Sequence, residues 1–170
     1  MSEENIETLV KGFELWNLAI GGDDASWRAA LQEMIDQYHP DAELDFRRTL
    51  PDFTPTRGTE AIIAWTEGAR EAFGSVRIEP KGYIEAGKSI VVPVQLVARG
   101  ASSGTETAAK FVYAFRFRSG LVVSATSFVT VAEALKAAGA AEQSGVAVRP
   151  LPGGLSGWNK PTILRHSGLV

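Results

Sequence analysis

An α+β domain is what this sequence predicts, and three observations predict it. Apolar residues recur at three- and four-residue spacing along the early chain, the period shortens to two from Ser75 onward, and glycine-bearing turns separate the later alternating stretches. The 170 residues, 45% apolar and 22% charged, suit one domain. Its core would bury roughly 70% of the unfolded chain's surface.

The first helix carries Ile6, Leu9, Val10, Phe13, Trp16, Asn17 and Ile20 on one face. Ser2 or Asn5 is its candidate cap, and Gly21-Gly22 stops it because glycine tolerates turns that other residues resist. Asp23 and Asp24 can accept the free amide hydrogens at the start of a second helix. Its stripe is Trp27, Leu31, Met34, Ile35 and Tyr38, with Pro40 as the expected stop. A short strand follows from Ala42 to Arg48, where Leu44 and Phe46 alternate with Glu43, Asp45 and Arg47. Two prolines and a glycine make the stretch from Pro51 to Gly58 a loop. Thr59 is the expected cap of a third helix with Ile62, Ile63, Trp65, Thr66, Ala69 and Phe73 inside.

Four strands complete the domain: Ser75 to Ile84, Ser89 to Arg99, Thr105 to Arg118 and Leu121 to Thr130. Gly87-Lys88, the stretch from Gly100 to Gly104, and Ser119-Gly120 supply turns, so consecutive strands should pair as antiparallel hairpins. Pro93 lacks an N–H and points to an edge or a bulge. A short helix from Ala132 to Ala138 ends at Gly139. Residues 140–170 differ in composition, with five Gly, three Pro and a single acid, Glu142. Val146, Val148, Leu151, Leu155, Trp158, Ile163 and Leu164 make this segment too apolar for a solvated linker. The expected division is therefore a domain over 1–139 and an extended tail over 140–170 that drapes over the domain or a second subunit.

Composition removes several classes of chemistry. The chain has no cysteine, which excludes disulfides, thiolate metal sites and a cysteine nucleophile. Its only two histidines, His39 and His166, are far apart in sequence, so no metal site is expected. A net charge of −3 gives no footprint for nucleic acid. No apolar run approaches the roughly 20 residues that span a bilayer. The acidic start, Met1 to Asn5, is unlike the basic head of a signal peptide. The expectation is a cytoplasmic domain that binds neither nucleic acid nor membrane. Gly153-Gly154-Leu155-Ser156-Gly157 lacks the surroundings of a phosphate loop or a serine elbow, and its glycines are expected to loosen the tail.

Several stretches, in this order and spacing, resemble the SnoaL-like, or nuclear-transport-factor-2-like, superfamily. They are Phe13 to Asn17, Tyr38 to Phe46, Arg57 to Trp65, Phe115 to Gly120 and Val131 to Gly139, and the resemblance runs over positions 3–139. That superfamily also contains ketosteroid isomerase, limonene epoxide hydrolase and scytalone dehydratase. The resemblance implies a curved, mixed sheet wrapped on three N-terminal helices, forming a conical, mostly apolar pocket. It also implies a homodimer through the sheet and no cofactor. Fold alone does not set function, which has to come from the pocket.

On strand 105–118, Ala109, Phe111, Tyr113, Phe115 and Phe117 share one face, expected to look inward. Tyr113 carries the only polar tip among these aromatics, as donor to a substrate carbonyl, as proton shuttle, or as a core tyrosine satisfied by a neighbour. By the resemblance, position 113 matches the neutral aspartic acid that ketosteroid isomerase pairs with a tyrosine. The isomerase's base falls on Phe46, and its tyrosine on Gly12 or Phe13. The epoxide hydrolase's Asp-Arg-Asp set is missing too: the last strand reads Ser127-Phe128-Val129-Thr130, and no Arg-x-Asp lies between Val92 and Val97. All six aspartates lie at or before Asp52, whereas the SnoaL-type cyclases place an acid on the late strands.

Asp45 is the candidate carboxylate, although alternation turns it outward toward Arg47 or Arg116 unless a bulge intervenes. Arg48, in phase with Leu44 and Phe46, would reach the pocket mouth or else stand in solvent. His39 is expected in a surface turn beside the second helix's end. Candidate pocket residues are Trp16, Tyr38, Phe46, Trp65, Tyr83, Phe111, Phe115 and Ser127, with Phe128 helping to exclude water. The leading expectation is a pocket for a small, largely apolar molecule, with cofactor-free isomerase, cyclase or dehydratase chemistry in which Tyr113 is helped by Arg48 or Asp45. The alternative is a non-catalytic binding or dimeric assembly module that lacks the family's acids.

Overall fold

The structure, a computed structural model, describes residues 2–100, 102–139 and 147–150. Helix α1 (Ser2–Gly21) turns Ile6, Leu9, Phe13 and Ile20 into the core, while Val10, expected on the same stripe, is exposed with Leu18. Arg70 closes the end of α1. Its guanidinium donates to the carbonyls of Ala19, Ile20 and Gly22 and to the Asp24 carboxylate at 2.9–3.3 Å, supplying the cation that a helix C-terminus favours. The Asp23 carboxylate accepts from the Ala25 and Ser26 amides and from the Ser26 hydroxyl ahead of α2 (Trp27–Ile35). These bonds hold the Asp23 pKa below its ordinary value.

Helix α2 ends before the expected stop. Tyr38, His39 and Pro40 already belong to β1 (Tyr38–Asp45), which stops before Arg48. Pro40 is accommodated because β1 pairs with β7 (Leu121–Phe128) in parallel with a register shift between Tyr38 and Glu43. Inside that bulge the His39 Nδ1 accepts the Asp41 amide at 3.1 Å, so His39 is a strand residue rather than a helix-end one. The expected loop contains β2 (Thr56–Arg57), antiparallel to β1. Helix α3 (Thr59–Ala72) starts at Thr59 without a side-chain cap. The capping position is Gly58, whose φ of 89° suits glycine.

The strand expected over 75–84 is two strands, β3 (Phe73–Pro80) and β4 (Gly82–Ala86), which meet at Lys81. Both pair with β5 (Ser89–Gly100): β4 with its first residues, β3 with its second half. Pro93 sits where the partner changes, and its carbonyl accepts the Lys81 amide at 2.8 Å. The missing N–H thus faces the corner between two strands, and Pro93 lies inside the sheet rather than on an edge. Strand β6 (Glu106–Arg118) pairs antiparallel with β5 and β7. Helix α4 (Val131–Ala137) is capped by the Thr130 hydroxyl, which accepts the Glu133 amide.

The described sheet runs β2-β1-β7-β6-β5-β4-β8, with β3 also on β5, and β8 (Ala147–Pro150) lies antiparallel to β4. This α+β arrangement is the cone expected from the resemblance. Of the tail, the backbone of β8 alone is described; Val146, Leu151, Gly153-Gly154, Leu155, Trp158, Ile163, Leu164 and His166 lie outside the described residues.

Two apolar clusters divide the two faces of the sheet. The inner one joins α1, α2 and α3 to Phe111, Tyr113 and Phe115. The outer one seats Val131 and Ala134 of α4 on Ile84, Ala86, Val91, Val112, Ala114 and Phe128. The Asn17 side chain ties α1 to β3, donating to the Ile78 carbonyl at 2.9 Å and accepting the Ile78 amide at 2.8 Å. That paired bond fixes how far the helix stands from the sheet, and so the width of the space between them.

Candidate functional site

The inner cluster is not filled. A cavity of about 60 Å³ lies between α1, α2, α3 and the sheet, with Gly12, Trp16, Gln37, Tyr38, Phe46, Trp65, Tyr113 and Phe115 in its wall. A second lobe of about 50 Å³ lies beside it under Thr49, Leu50, Phe73 and Phe111. Trp16, Trp65 and Tyr113 belong to both walls and form the partition. Both tryptophans are half-buried. Flat rings explain the voids: the Tyr113 ring stands 5.1–6.3 Å from Phe13, Phe46, Phe111 and Phe115 at mixed angles, and rings so disposed leave gaps that branched aliphatic side chains would close.

No Asp, Glu, Lys, Arg or His lines either lobe. The polar groups are the Tyr38 and Tyr113 phenols, the Gln37 amide, the indole N–H groups and the Thr49 and Thr66 hydroxyls. Thr66 is spent on the Ile62 carbonyl at 2.9 Å, and Thr49 lies 2.8 Å from the Ser127 hydroxyl. Burial pushes the Tyr113 pKa well above the ordinary phenol value, and the neighbouring Tyr38 raises it further. Burial likewise pushes Tyr38 up to about 12. Both phenols are therefore neutral donors near neutral pH, not bases.

The other sequence candidates lie elsewhere. Asp45 turns outward and holds Arg47 through two bonds of 2.9 and 2.8 Å, which lowers its pKa. The Arg48 guanidinium lies 4.8 Å from the centre of the Phe128 ring, in the outer cluster's neighbourhood rather than at the mouth of a lobe. Phe128 faces outward because it pairs with Val112, whereas Ser127 pairs with Tyr113. Ser127 is fully buried behind Thr49 and touches neither lobe. Phe111 lines only the second lobe. Tyr83 is buried in the inner cluster and lines neither lobe; among the described residues its hydroxyl alone is a buried side-chain polar atom without a hydrogen bond. Burial, with the Glu14 charge second, raises its pKa.

Gly12, Gln37 and Thr49 were not singled out as pocket residues from sequence. Gly12 had a signal, a glycine on the buried stripe between Leu9 and Phe13; a Cβ there would come within 2.9 Å of the Gln37 Oε1. Gln37 follows Asp36 and Thr49 follows Arg47-Arg48, polar surroundings that carried none.

A larger hollow of about 630 Å³ opens beside the outer row Arg57, Glu43, Ser124, Arg116 and Ser89, which lie abreast across β2, β1, β7, β6 and β5. Its wall is rich in charged side chains, and Arg57 pairs with Glu43 at 3.4 Å. Among the described residues no group of His, Asp or Glu could hold a metal ion, and no helix is long and apolar enough to cross a membrane.

Residues 23–125 match the family model of the SnoaL-like domain. Solved structures share the fold at low identity. An NTF2-like protein of unknown function from Burkholderia pseudomallei K96243 matches at TM-score 0.60 and 21% identity, over 78% of this chain and 95% of its own. A protein described as a candidate SnoaL-like polyketide cyclase from Jannaschia sp. CCS1 matches at 0.59 and 21%, over 84% and 94%. The epoxide hydrolase/cyclase-like enzyme SalBIII, tied to pyran ring formation in the polyether salinomycin, matches at 0.59 and 17%, over 75% and 91%. No curated protein sequence matches the chain.

Proposed function

Because the chain belongs to the SnoaL-like domain family, we propose that its inner cavity receives a small, uncharged, largely apolar organic molecule, with the Tyr113 hydroxyl as polar anchor. The observation that carries this is the wall itself, which is rich in aromatic rings and free of charged side chains. Burying an ionised ligand there without a counter-charge would cost several kcal/mol, whereas a neutral ring gains contact with every face it meets. The two lobes, about 60 and 50 Å³, are each smaller than the roughly 150 Å³ cavity that holds benzene, so a ring-bearing guest requires the Trp16, Trp65 and Tyr113 partition to move. SalBIII, of like fold, is an enzyme of ring formation, which agrees with an oxygen-bearing carbon skeleton as guest.

If the guest reacts, Tyr113 supplies a hydrogen bond to a carbonyl that gains negative charge during an isomerisation, cyclisation or dehydration. Neither Asp45 nor Arg48 reaches the lobes to assist it, and that observation favours a second reading, a non-catalytic binding module. Both readings require the pocket. Titration with acetophenone, followed by the fluorescence of the two cavity tryptophans, should show saturable binding, weakened about fivefold in Tyr113→Phe, the loss of one neutral hydrogen bond. A wild-type signal that never saturates would overturn the reading.

A further inference from the structure

We infer that the outer hollow is a second binding site, built around Arg116 for the phosphate group of a small organic phosphomonoester. Arg116 lies on β6 directly between Ser89 of β5 and Ser124 of β7. Paired residues of neighbouring strands point to the same face with Cβ atoms roughly 5 Å apart, so the guanidinium leaves the sheet flanked by two hydroxyls. Arg118, two residues on, shares that face by alternation. Lys88 stands in the turn between β4 and β5, next to Ser89. All five residues line the hollow of about 630 Å³, a volume within the range of small-molecule sites.

Elsewhere on the sheet the exposed arginines are engaged: Arg57 pairs with Glu43, Arg77 with Glu79 and Arg99 with Glu106. Lys88, Arg116 and Arg118 have no carboxylate partner among the described residues, and neither serine hydroxyl has a hydrogen bond or is sealed off like that of Tyr83. Three unpaired cations and two unpaired hydroxyls thus share one hollow. A phosphomonoester brings about −1.5 to −2 charges and three acceptor oxygens. The guanidinium fork takes two of those oxygens, and a flanking hydroxyl takes the third. A carboxylate has two oxygens, which the fork alone satisfies, and leaves both hydroxyls idle. Asp41 and Glu85, also in the wall, disfavour a longer polyanion. Phe117 and Val123, both half-buried, offer an apolar surface to the organic part of the ligand.

The test titrates phenyl phosphate into the full chain at fixed ionic strength and follows the phosphorus-31 chemical shift, which should saturate. Affinity should fall about tenfold or more in Arg116→Gln, the loss of a charge-assisted bond. It should fall about fivefold in Ser89→Ala and in Ser124→Ala, each the loss of one hydrogen bond. If Ser89→Ala, the more buried of the two, does not fold, Ser124→Ala carries the same expectation. Arg77→Gln, on β3 and outside the hollow, should bind as the wild type does, and benzoate should bind at least about fivefold more weakly than phenyl phosphate. Acetophenone should bind Arg116→Gln unchanged, because the inner lobes are a separate site. A shift that never saturates, or equal losses in Arg116→Gln and Arg77→Gln, would be general attraction between charges and overturns the site. Benzoate binding as tightly as phenyl phosphate overturns the assignment to phosphate. A dimer in sedimentation that binds no phenyl phosphate and that Arg116→Gln splits gives the row to a second copy and overturns the site too.

Discussion

The two faces of β6 meet different neighbours. Inward, Phe111, Tyr113 and Phe115 face three helices across a space that stays partly empty. Outward, Val112 and Ala114 face a single short helix whose Val131 and Ala134 are seated closely on them. Beyond α4, Arg116 and its row turn to charge, on the face through which the resemblance would pair two copies. Small aliphatic side chains let α4 sit down on the sheet, whereas large flat ones hold α1 away from it and Asn17 fixes the gap. Apolar burial therefore serves packing on one face and creates a container on the other.

The largest effect that would break this contrast concerns added volume. Ala134 is fully buried on the sheet-facing side of α4, in one cluster with Val112 and Ala114, and Ala134→Leu should destabilise by about 1–3 kcal/mol because its extra carbons must displace that packing. Ala125 lines the inner lobe. Ala125→Val should leave the melting temperature unchanged or raised, because its methyl groups enter existing space, and it should weaken acetophenone binding. Thermal unfolding of the two variants side by side measures this. Equal destabilisation would mean that the inner face is as tightly filled as the outer one.

A smaller effect appears only in alkali. The chain has three tyrosines, and Tyr38, Tyr83 and Tyr113 all have raised pKa values, burial being the main cause in each. The folded state therefore keeps protons that the unfolded chain releases near pH 10. The stabilisation is fully present below about pH 10 and is lost as pH rises toward 12 and beyond. Absorbance at 295 nm should stay flat to about pH 11 and then rise together with the loss of circular dichroism. A tyrosine that ionises near its ordinary value while the fold persists would place its hydroxyl in contact with water, and if Tyr113→Phe removed that signal, the inner lobe would be wet.

Period and turn chemistry made the helices and hairpins legible, because apolar residues recur at 3.6-residue spacing in α1 and α3 and glycines mark the turns that bound β5 and β6, although burial itself runs unbroken through the middle of both strands. The bulge in β1 was not legible: a proline within a strand looks like a helix stop until the parallel partner β7 supplies a register that absorbs it. The corner at Lys81 was hidden for a like reason: Val76, Ile78, Ile84 and Ala86 read as one alternation in sequence, yet the first two face the inner cluster and the last two the outer one, a change of phase that only the common partner β5 reveals. Within the site, the aromatic wall followed from alternation on β6. Arg48 could not be placed by phase, because it lies beyond the end of β1, where the chain turns through Thr49 and Leu50. Phe128 followed its own alternation outward, but only the register with Val112 reveals it.

The smallest expected effect is the one that most directly separates the faces. Asp45 was the carboxylate best placed by sequence to act in the pocket, and Asp45→Asn removes its charge at almost constant shape. Arg47 lowers the Asp45 pKa, so the pair's contribution is present above the unfolded carboxylate's pKa of about 4 and lost as pH falls through the lower folded value. That contribution is small, because the Arg47 side chain is 60% exposed and the Asp45 side chain 26%, leaving water and salt to screen the pair. At neutral pH the variant should melt within error of the wild type, bind acetophenone unchanged, and differ only by a flatter loss of stability in acid. Loss of acetophenone binding in Asp45→Asn would show that an outer-face carboxylate reaches the inner lobe after all, and the division of labour between the two faces would not stand.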